Sequence, residues 1–253
     1  MKIQYCSDLH LEFPENWAFI KSNPLKPVGD ILVLGGDILP FRIMDKYASF
    51  FDYVADHFSC TYWIPGNHEY YHSDILDRSG VLNESIRSNV FLINNKSVLL
   101  PGVRLIFSTL WTRIRPSYHY AIQQSMSDFL VIHHGKRRLL PQDYTDMHEK
   151  CLSFLRGELS LPSAVPSIVV THHVPTFLNY PAEYAGDVLN EAFAVGLDTF
   201  IEEKGPDYWI FGHHHRNIPP FTIGKTTMLT NQLGYVRHGE NSHFQNDSSI
   251  ALN

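Results

Sequence analysis

The sequence predicts an α/β fold, and three observations predict it. Short β-branched and aromatic runs alternate with longer helix-periodic stretches along the 253 residues. A strand-helix-strand unit implies a covered, largely parallel sheet, and a later Pro-Gly hairpin adds an antiparallel element. Ligand-type side chains collect where the strands end.

The elements follow in order. "KIQYCS" (2–7), "DILVLGG" (30–36), "CTYWIPG" (60–66) and "NVFLIN" (89–94) read as strands bounded by turn residues. Between the second and third, Ile43, Tyr47, Phe50, Phe51, Val54 and Phe58 fall on one helical face. "KSVLLPGVRLIFSTLW" turns at Pro101-Gly102 and reads as a hairpin. From Trp111 to about Pro166 strand character fades, and Tyr144, Met147, Cys151, Phe154 and Leu155 mark a helix that Gly157 is expected to end. "SIVVTHH" (167–173), "DYWIFGHHH" (207–215), "PFTIG" (220–224) and "TTMLTN" (226–231) restore strands, with a helix near 188–203. There is no internal repeat and no low-complexity linker. The expectation is a single domain over 1–253 with a helical, cap-like insertion at about 112–165.

Composition sets outer bounds. An apolar fraction of 44% supports a sizeable core, and a net charge of −6 disfavours a general nucleic-acid or anionic-membrane binder. No apolar run approaches the roughly 20 residues a bilayer span needs. The N-terminus lacks signal-peptide features, and Cys6, Cys60 and Cys151 are widely spaced and odd in number. They read as reduced thiols of a cytoplasmic protein.

Five strand ends carry candidate ligands: Asp8-Leu9-His10, Gly36-Asp37, Gly66-Asn67-His68-Glu69, Thr171-His172-His173 and Gly212-His213-His214-His215. In open α/β sheets the crevice beyond such ends is where ligands bind. In extended chain, residues two apart face one side, so Asp8 pairs with His10 and His213 with His215, while His214 is expected to point out. Two aspartates, an asparagine and four histidines exceed what one tetrahedral zinc takes and suit two neighbouring ions that share a carboxylate. The donor set lacks thiolates and favours Mn, Fe, Co or Zn. Singly, each residue has an ordinary alternative, such as a loop cap, a turn former or a satisfied core histidine.

The ordered blocks "DLH", "GGD", "GNHE", "THH" and "GHHH" resemble the calcineurin-like metallophosphoesterase superfamily over residues 1 to about 235. The resemblance implies a four-layer α/β/β/α sandwich of two mixed β-sheets flanked by helices, with a dinuclear centre at the strand ends. It implies Asp8, His10 and His215 as ligands of one metal, Asp37 as the bridging carboxylate, and Asn67, His172 and His213 as ligands of the other. His173 is the reserve for His172. The resemblance also places His68 beside the leaving group as general acid, Asp37 and His68 as the catalytic pair, and Asn67, His68 and Tyr70 at the substrate. The blocks "GNHEYY", "TLWT" and "NQLGY" resemble bacterial members and bring Tyr71, Trp111 and Asn231 toward the pocket, where aromatic core packing is the alternative.

Two departures separate this chain from the protein Ser/Thr phosphatases of that superfamily. Pro40 stands where those enzymes carry an aspartate that orients the catalytic histidine, and Pro65 precedes Gly66 where they carry an arginine. What orients His68 is therefore left open. The expected cofactors are two transition-metal ions (Mn, Fe or Zn), and the expected reaction is in-line attack on a phosphoric mono- or diester by hydroxide bridging the two ions. The expected partner is a small phosphorylated substrate. "HHGKRRLLP" (133–141) is the one basic cluster, either a phosphate contact from the cap or a solvated turn. Rival readings are a nuclease or cyclic-nucleotide phosphodiesterase, marked by a basic aromatic groove, and a non-catalytic scaffold, marked by lost ligands.

Overall fold

A computed structural model of the protein describes residues 1–252. The strands are β1 (Lys2–Cys6), β2 (Ile31–Leu34), β3 (Cys60–Trp63), β4 (Leu82–Arg87), β5 (Val90–Asn94), β6 (Lys96–Leu100), β7 (Val103–Ser108), β8 (His133–His134), β9 (Arg137–Arg138), β10 (Ser167–Thr171), β11 (Tyr208–Ile210), β12 (Phe221–Ile223), β13 (Thr226–Leu229) and β14 (Ser249–Ala251). The helices are α1 (Pro14–Ser22), α2 (Ala48–His57), α3 (His119–Ser125), α4 (Asp128–Val131), α5 (Pro141–Ser160), α6 (Asn190–Phe193) and α7 (Asp198–Lys204).

Two six-stranded sheets form, ordered β14-β1-β2-β3-β5-β4 and β12-β13-β11-β10-β7-β6. In each, the four central strands pair in parallel and the strand at either edge is antiparallel. Strands buried on both faces need apolar residues at every position, and β2, reading Ile-Leu-Val-Leu, is buried throughout.

The pleat sorts these side chains into layers. Ile31 and Val33 face the second sheet and pack with Leu105, Phe107, Ile168 and Val170. Leu32 and Leu34 face the other way, onto Phe50, Phe51 and Val54 of α2. On the far side, Ile106, Val169 and Trp209 meet Leu152 and Leu155 of α5 and Ile201 of α7. Helix, sheet, sheet, helix is the resulting order, the mixed α/β sandwich expected. Each fully buried Leu, Val or Phe contributes about 1.5–3 kcal/mol, so the three packed seams outweigh any single polar contact.

Three expected elements differ in detail. The helix expected over 43–58 begins as a 3₁₀ segment, Phe41–Tyr47, in which no residue is buried, and becomes α-helical at Ala48 where Phe50 and Phe51 reach the sheet. The helix near 188–203 is split into α6 and α7, because the backbone between them bridges Val174 to Ala194 and Val195 N donates to Val174 O. Helix α5 runs through Gly157 to Ser160, since nothing crowds or stops the chain there, and starts at Pro141, where Asp143 accepts from Leu140 N at 2.8 Å. Helix α1, β4 and β14 were not expected from the sequence.

Residues 112–140 build α3, α4 and the β8-β9 hairpin. Ile122, Met126, Phe129, Ile132 and Leu139 form a separate apolar cluster with Tyr70, Trp111 and Tyr144 over the strand ends. Arg137 pairs with Asp143 at 2.6 Å and both arginines of the hairpin are exposed, so the basic cluster sits on the surface. Among the described residues no helix is long and apolar enough to cross a membrane.

Candidate metal centre

At the carboxyl ends of β1, β2 and β11 the chain turns abruptly. Asp8, His10, Asp37, His213 and His215 all have positive φ, between 46° and 81°. The left-handed conformation costs a non-glycine residue about 1–2 kcal/mol. Five such residues at one site is stored backbone strain, and it re-aims the side chains. The same-side pairing of Asp8 with His10 and of His213 with His215 therefore arises from turned backbone, not from the extended chain that the sequence pattern suggested.

Glycines let the turns approach one another. A Cβ at Gly66 would lie 2.2 Å from Asp37 Oδ1, and one at Gly212 would lie 2.5 Å from Asp8 Oδ2. Beneath them the Glu69 carboxylate accepts from the backbone N–H groups of Asp37, Ile38 and Gly66 and from Trp63 Nε1, at 2.7–3.0 Å. Glu69 thus ties the second strand end to the third.

The seven expected donors converge in two groups that share Asp37. Asp8, His10, Asp37 and His215 form one, with His10 Nε2 2.9 Å from His215 Nε2 and His215 Nε2 3.4 Å from Asp8 Oδ1. Asp37, His172 and His213 form the other. There, His172 Nε2 lies 3.1 Å from His213 Nδ1, 3.2 Å from Asn67 Oδ1 and 3.4 Å from Asp37 Oδ2. His173, the reserve, stands outside both groups. Its Nδ1 donates to Thr109 O, and its ring lies between Trp111 and His213.

Such a donor set fits cations. Asp8 and Asp37 are 0% and 1% exposed, and among the described residues their charge partners are imidazoles, not lysine or arginine. Imidazole nitrogens crowd against one another and against carboxylate and amide oxygens, at 2.9–3.4 Å. Burial would push the Asp8 carboxyl up, but His215 and His172 hold it below the usual carboxylate range, and His172 does the same for Asp37. Conversely His172 is raised to about 9 and His215 to about 10 by those carboxylates, against burial. Burial and neighbouring imidazoles depress His10 and His213.

Outer partners fix the rings. His215 Nδ1 lies 2.8 Å from Glu240 Oε2, His172 Nδ1 lies 3.0 Å from Gly35 O, and His10 Nδ1 lies 3.3 Å from Glu12 Oε1. Each contact leaves the remaining Nε2 aimed at the donor group, which is how protein sites orient metal-binding histidines.

His68 stands beside the centre. Its backbone N–H donates to Asp37 Oδ1 at 2.8 Å, its ring stacks on Tyr71 at 4.0 Å, and its Nε2 lies 3.3 Å from Tyr235 OH. Its Nδ1 lies 2.9 Å from Glu12 Oε1. Burial would lower this imidazole, but Asp37 and Glu12 outweigh it and raise it.

Other expectations need correction. Tyr70, expected at the substrate, is 1% exposed and packs against Phe41 and Trp111, while its neighbour Tyr71 lines the cavity. Trp111 is likewise core. Asn231 holds backbone instead, donating to Tyr5 O and Gln245 O. His214 does not point to solvent: it is buried, with Nδ1 against Gln232 and its ring near Phe211 and Tyr180, because the turns on either side swing it away from the donor groups into the protein. Sequence reasoning missed Glu12, Asp128, Tyr235 and Glu240. Glu12 was within reach, since it follows His10 by the same two-residue step that linked His10 to Asp8.

A cavity of about 360 Å³ opens over the centre, lined by Asn67, His68, Tyr71, Tyr180, Phe193 and Tyr235 among others, with no lysine or arginine in its wall. The calcineurin-like phosphoesterase family profile matches residues 1–217. An uncharacterized protein of Acanthamoeba polyphaga mimivirus is 30% identical over 94% of this chain and 93% of its own length. Among solved structures, the phosphopantetheinyl hydrolase PptH from Mycobacterium tuberculosis superposes with a TM-score of 0.73 at 13% identity, covering 100% of this chain and 96% of that one. A dimetal phosphatase from Danio rerio gives a TM-score of 0.46 at 13% identity, over 92% of this chain and 87% of its own. This chain belongs to the calcineurin-like phosphoesterase family, and with it to the metal-dependent phosphoester hydrolases.

Proposed function

We propose that this protein hydrolyses small phosphoric mono- or diesters with two transition-metal ions, Mn, Fe or Zn. Asp8, His10 and His215 would hold one ion, Asn67, His172 and His213 the other, and Asp37 would bridge them. The observation that carries this reading is the convergence of two donor groups on the shared Asp37. All-nitrogen and oxygen donors without thiolate favour those metals. When bound, the pair supplies an acidified water and neutralises phosphoryl charge.

The chain's own residues do the rest. With Nδ1 against Glu12 and its ring stacked on Tyr71, His68 holds Nε2 at the cavity, where a proton on it can pass to the departing alkoxide. Glu12 takes the orienting place that Pro40 leaves vacant. Tyr71, Tyr180, Phe193 and Tyr235 offer an aromatic wall for the organic part of the ester. A cavity free of lysine and arginine gives no support to a nuclease, which tracks a polyanionic backbone. We read the chain as one catalytic unit in which the insertion covers this cavity. Free Cys6, Cys60 and Cys151 support a cytoplasmic site of action.

The test is a screen with added Mn²⁺ across p-nitrophenyl phosphate, bis-p-nitrophenyl phosphate, cyclic nucleotides and single-stranded DNA. A phosphopantetheinyl ester belongs in the panel because a fold neighbour is a phosphopantetheinyl hydrolase. Turnover of a small ester that chelation abolishes supports the reading. Turnover of DNA alone would replace it with the nuclease.

A further inference from the structure

Asn67 has two chemically different ends, and only the amide oxygen can serve a cation. Its Nδ2 donates to Asp128 Oδ1 at 2.8 Å, and its Oδ1 faces His172 Nε2 at 3.2 Å. Turning the amide over would set its oxygen against the Asp128 carboxylate and its N–H groups toward the metal-binding side. The Asp128 carboxylate is what separates these two arrangements. It is itself held firmly: 1% exposed, it accepts from Tyr144 OH on Oδ1 and from Tyr71 OH on Oδ2 at 3.1 Å. Tyr144 is fully buried in α5, and Tyr71 is the ring that stacks on His68.

Asp128 comes from the first turn of α4, in the middle of the insertion, 61 residues from Asn67. We propose that Asp128 is a positioning residue of the metal centre: it locks the Asn67 amide with its oxygen toward His172, so that the insertion sets metal affinity at the group of Asp37, His172 and His213. The inference rests on reading Asn67 as a ligand. Outer partners of this kind are worth about 10–100-fold in metal affinity. The insertion is then part of the centre's construction as well as a cover, and the hydrogen bond from Tyr71 OH to Asp128 couples ligand position to the ring beside His68.

The experiment is calorimetric titration of metal-stripped protein with Mn²⁺, which reads binding and not turnover. Asn67→Ala comes first, to identify the binding step that depends on Asn67. Asp128→Ala is expected to weaken that same step by about 10–100-fold and leave the other step unchanged. Asp128→Asn keeps an oxygen that accepts from Asn67 and Tyr144, and is expected to bind within about threefold of the parent. The double variant should be no weaker than Asn67→Ala alone. If Asp128→Ala does not fold, Asp128→Glu displaces the carboxylate by one methylene and should weaken the step in its place. An Asn67→Ala variant that binds both ions normally would remove Asn67 from the ligand set. Loss with Asn67→Ala but none with the Asp128 variants would overturn the positioning role and leave the ligand set standing.

Discussion

Glu12 Oε1 lies 2.9 Å from His68 Nδ1 and 3.3 Å from His10 Nδ1, so one carboxylate oxygen is shared by two imidazoles. For His10 the contact leaves Nε2 to the donor group; for His68 it leaves Nε2 to the cavity. On the reading proposed above, Glu12, at the neighbouring β1 strand end and two positions beyond a candidate ligand, takes the place of the aspartate that Pro40 replaces.

Proton donation matters in proportion to how poor the leaving group is. His68→Ala should keep its metal yet lose about 10²–10⁴-fold on an alkyl phosphoester, and far less on a p-nitrophenyl ester whose leaving group needs no proton. Glu12→Ala should show the same split at smaller size, about 10–100-fold on the alkyl ester, and add little in a His68→Ala background. Equal losses on both esters would assign these residues to phosphate binding instead.

The histidine run makes a sharp contrast. His213→Ala and His215→Ala should each lower metal content severely, because each removes an atom from a donor group. His214→Ala should keep metal and cost about 1–3 kcal/mol of stability, through lost packing and the orphaned Gln232. Metal analysis beside thermal denaturation separates the two. The arrangement is wrong if His214→Ala is the variant that loses metal.

Gly66→Ala tests the close approach of the strand ends. An added Cβ would sit 2.2 Å from Asp37 Oδ1, so the shared carboxylate must move. Misplacement on that scale costs about 10²-fold in rate, with circular dichroism unchanged and metal content reduced. Normal metal content in this variant would show that Asp37 need not hold its position.

Glu12 also supplies a pH signature in metal-free protein. Burial would raise its carboxyl, but the contacts from His10 and His68 hold it down at about 2 against an ordinary value of 4.5. A depressed acid stabilises the folded state above its unfolded value, and the contribution fades as pH falls from about 4.5 toward 2. The melting-temperature gap between the parent and Glu12→Gln should therefore narrow between about pH 7 and pH 3. A gap independent of pH would mean that the Glu12 charge does not stabilise the fold.

Much of the fold was legible because the central strands announce themselves locally. β1, β2 and β3 are short runs rich in β-branched, aromatic and other apolar residues, followed by Asp8, by Gly35-Gly36 and by Gly66-Asn67, and the pleat sends alternate residues to the two seams. The break between α6 and α7 was not legible, since its cause is a bridge from Val174 twenty residues away. The converging donor residues were readable as residue types at strand ends, although the left-handed turns that aim those side chains carry no period-two signature. Asp128 had no sequence signal at all: it is an ordinary helix-start aspartate until the insertion folds over Asn67.

The central claim is a pair of metal ions sharing Asp37. Chelated protein titrated with Mn²⁺ should bind two ions per chain and recover hydrolysis as they bind, while Asp37→Ala should weaken both steps together because both groups use that carboxylate. Full hydrolysis by metal-free protein, or an Asp37→Ala variant that weakens one step and spares the other, would contradict the account.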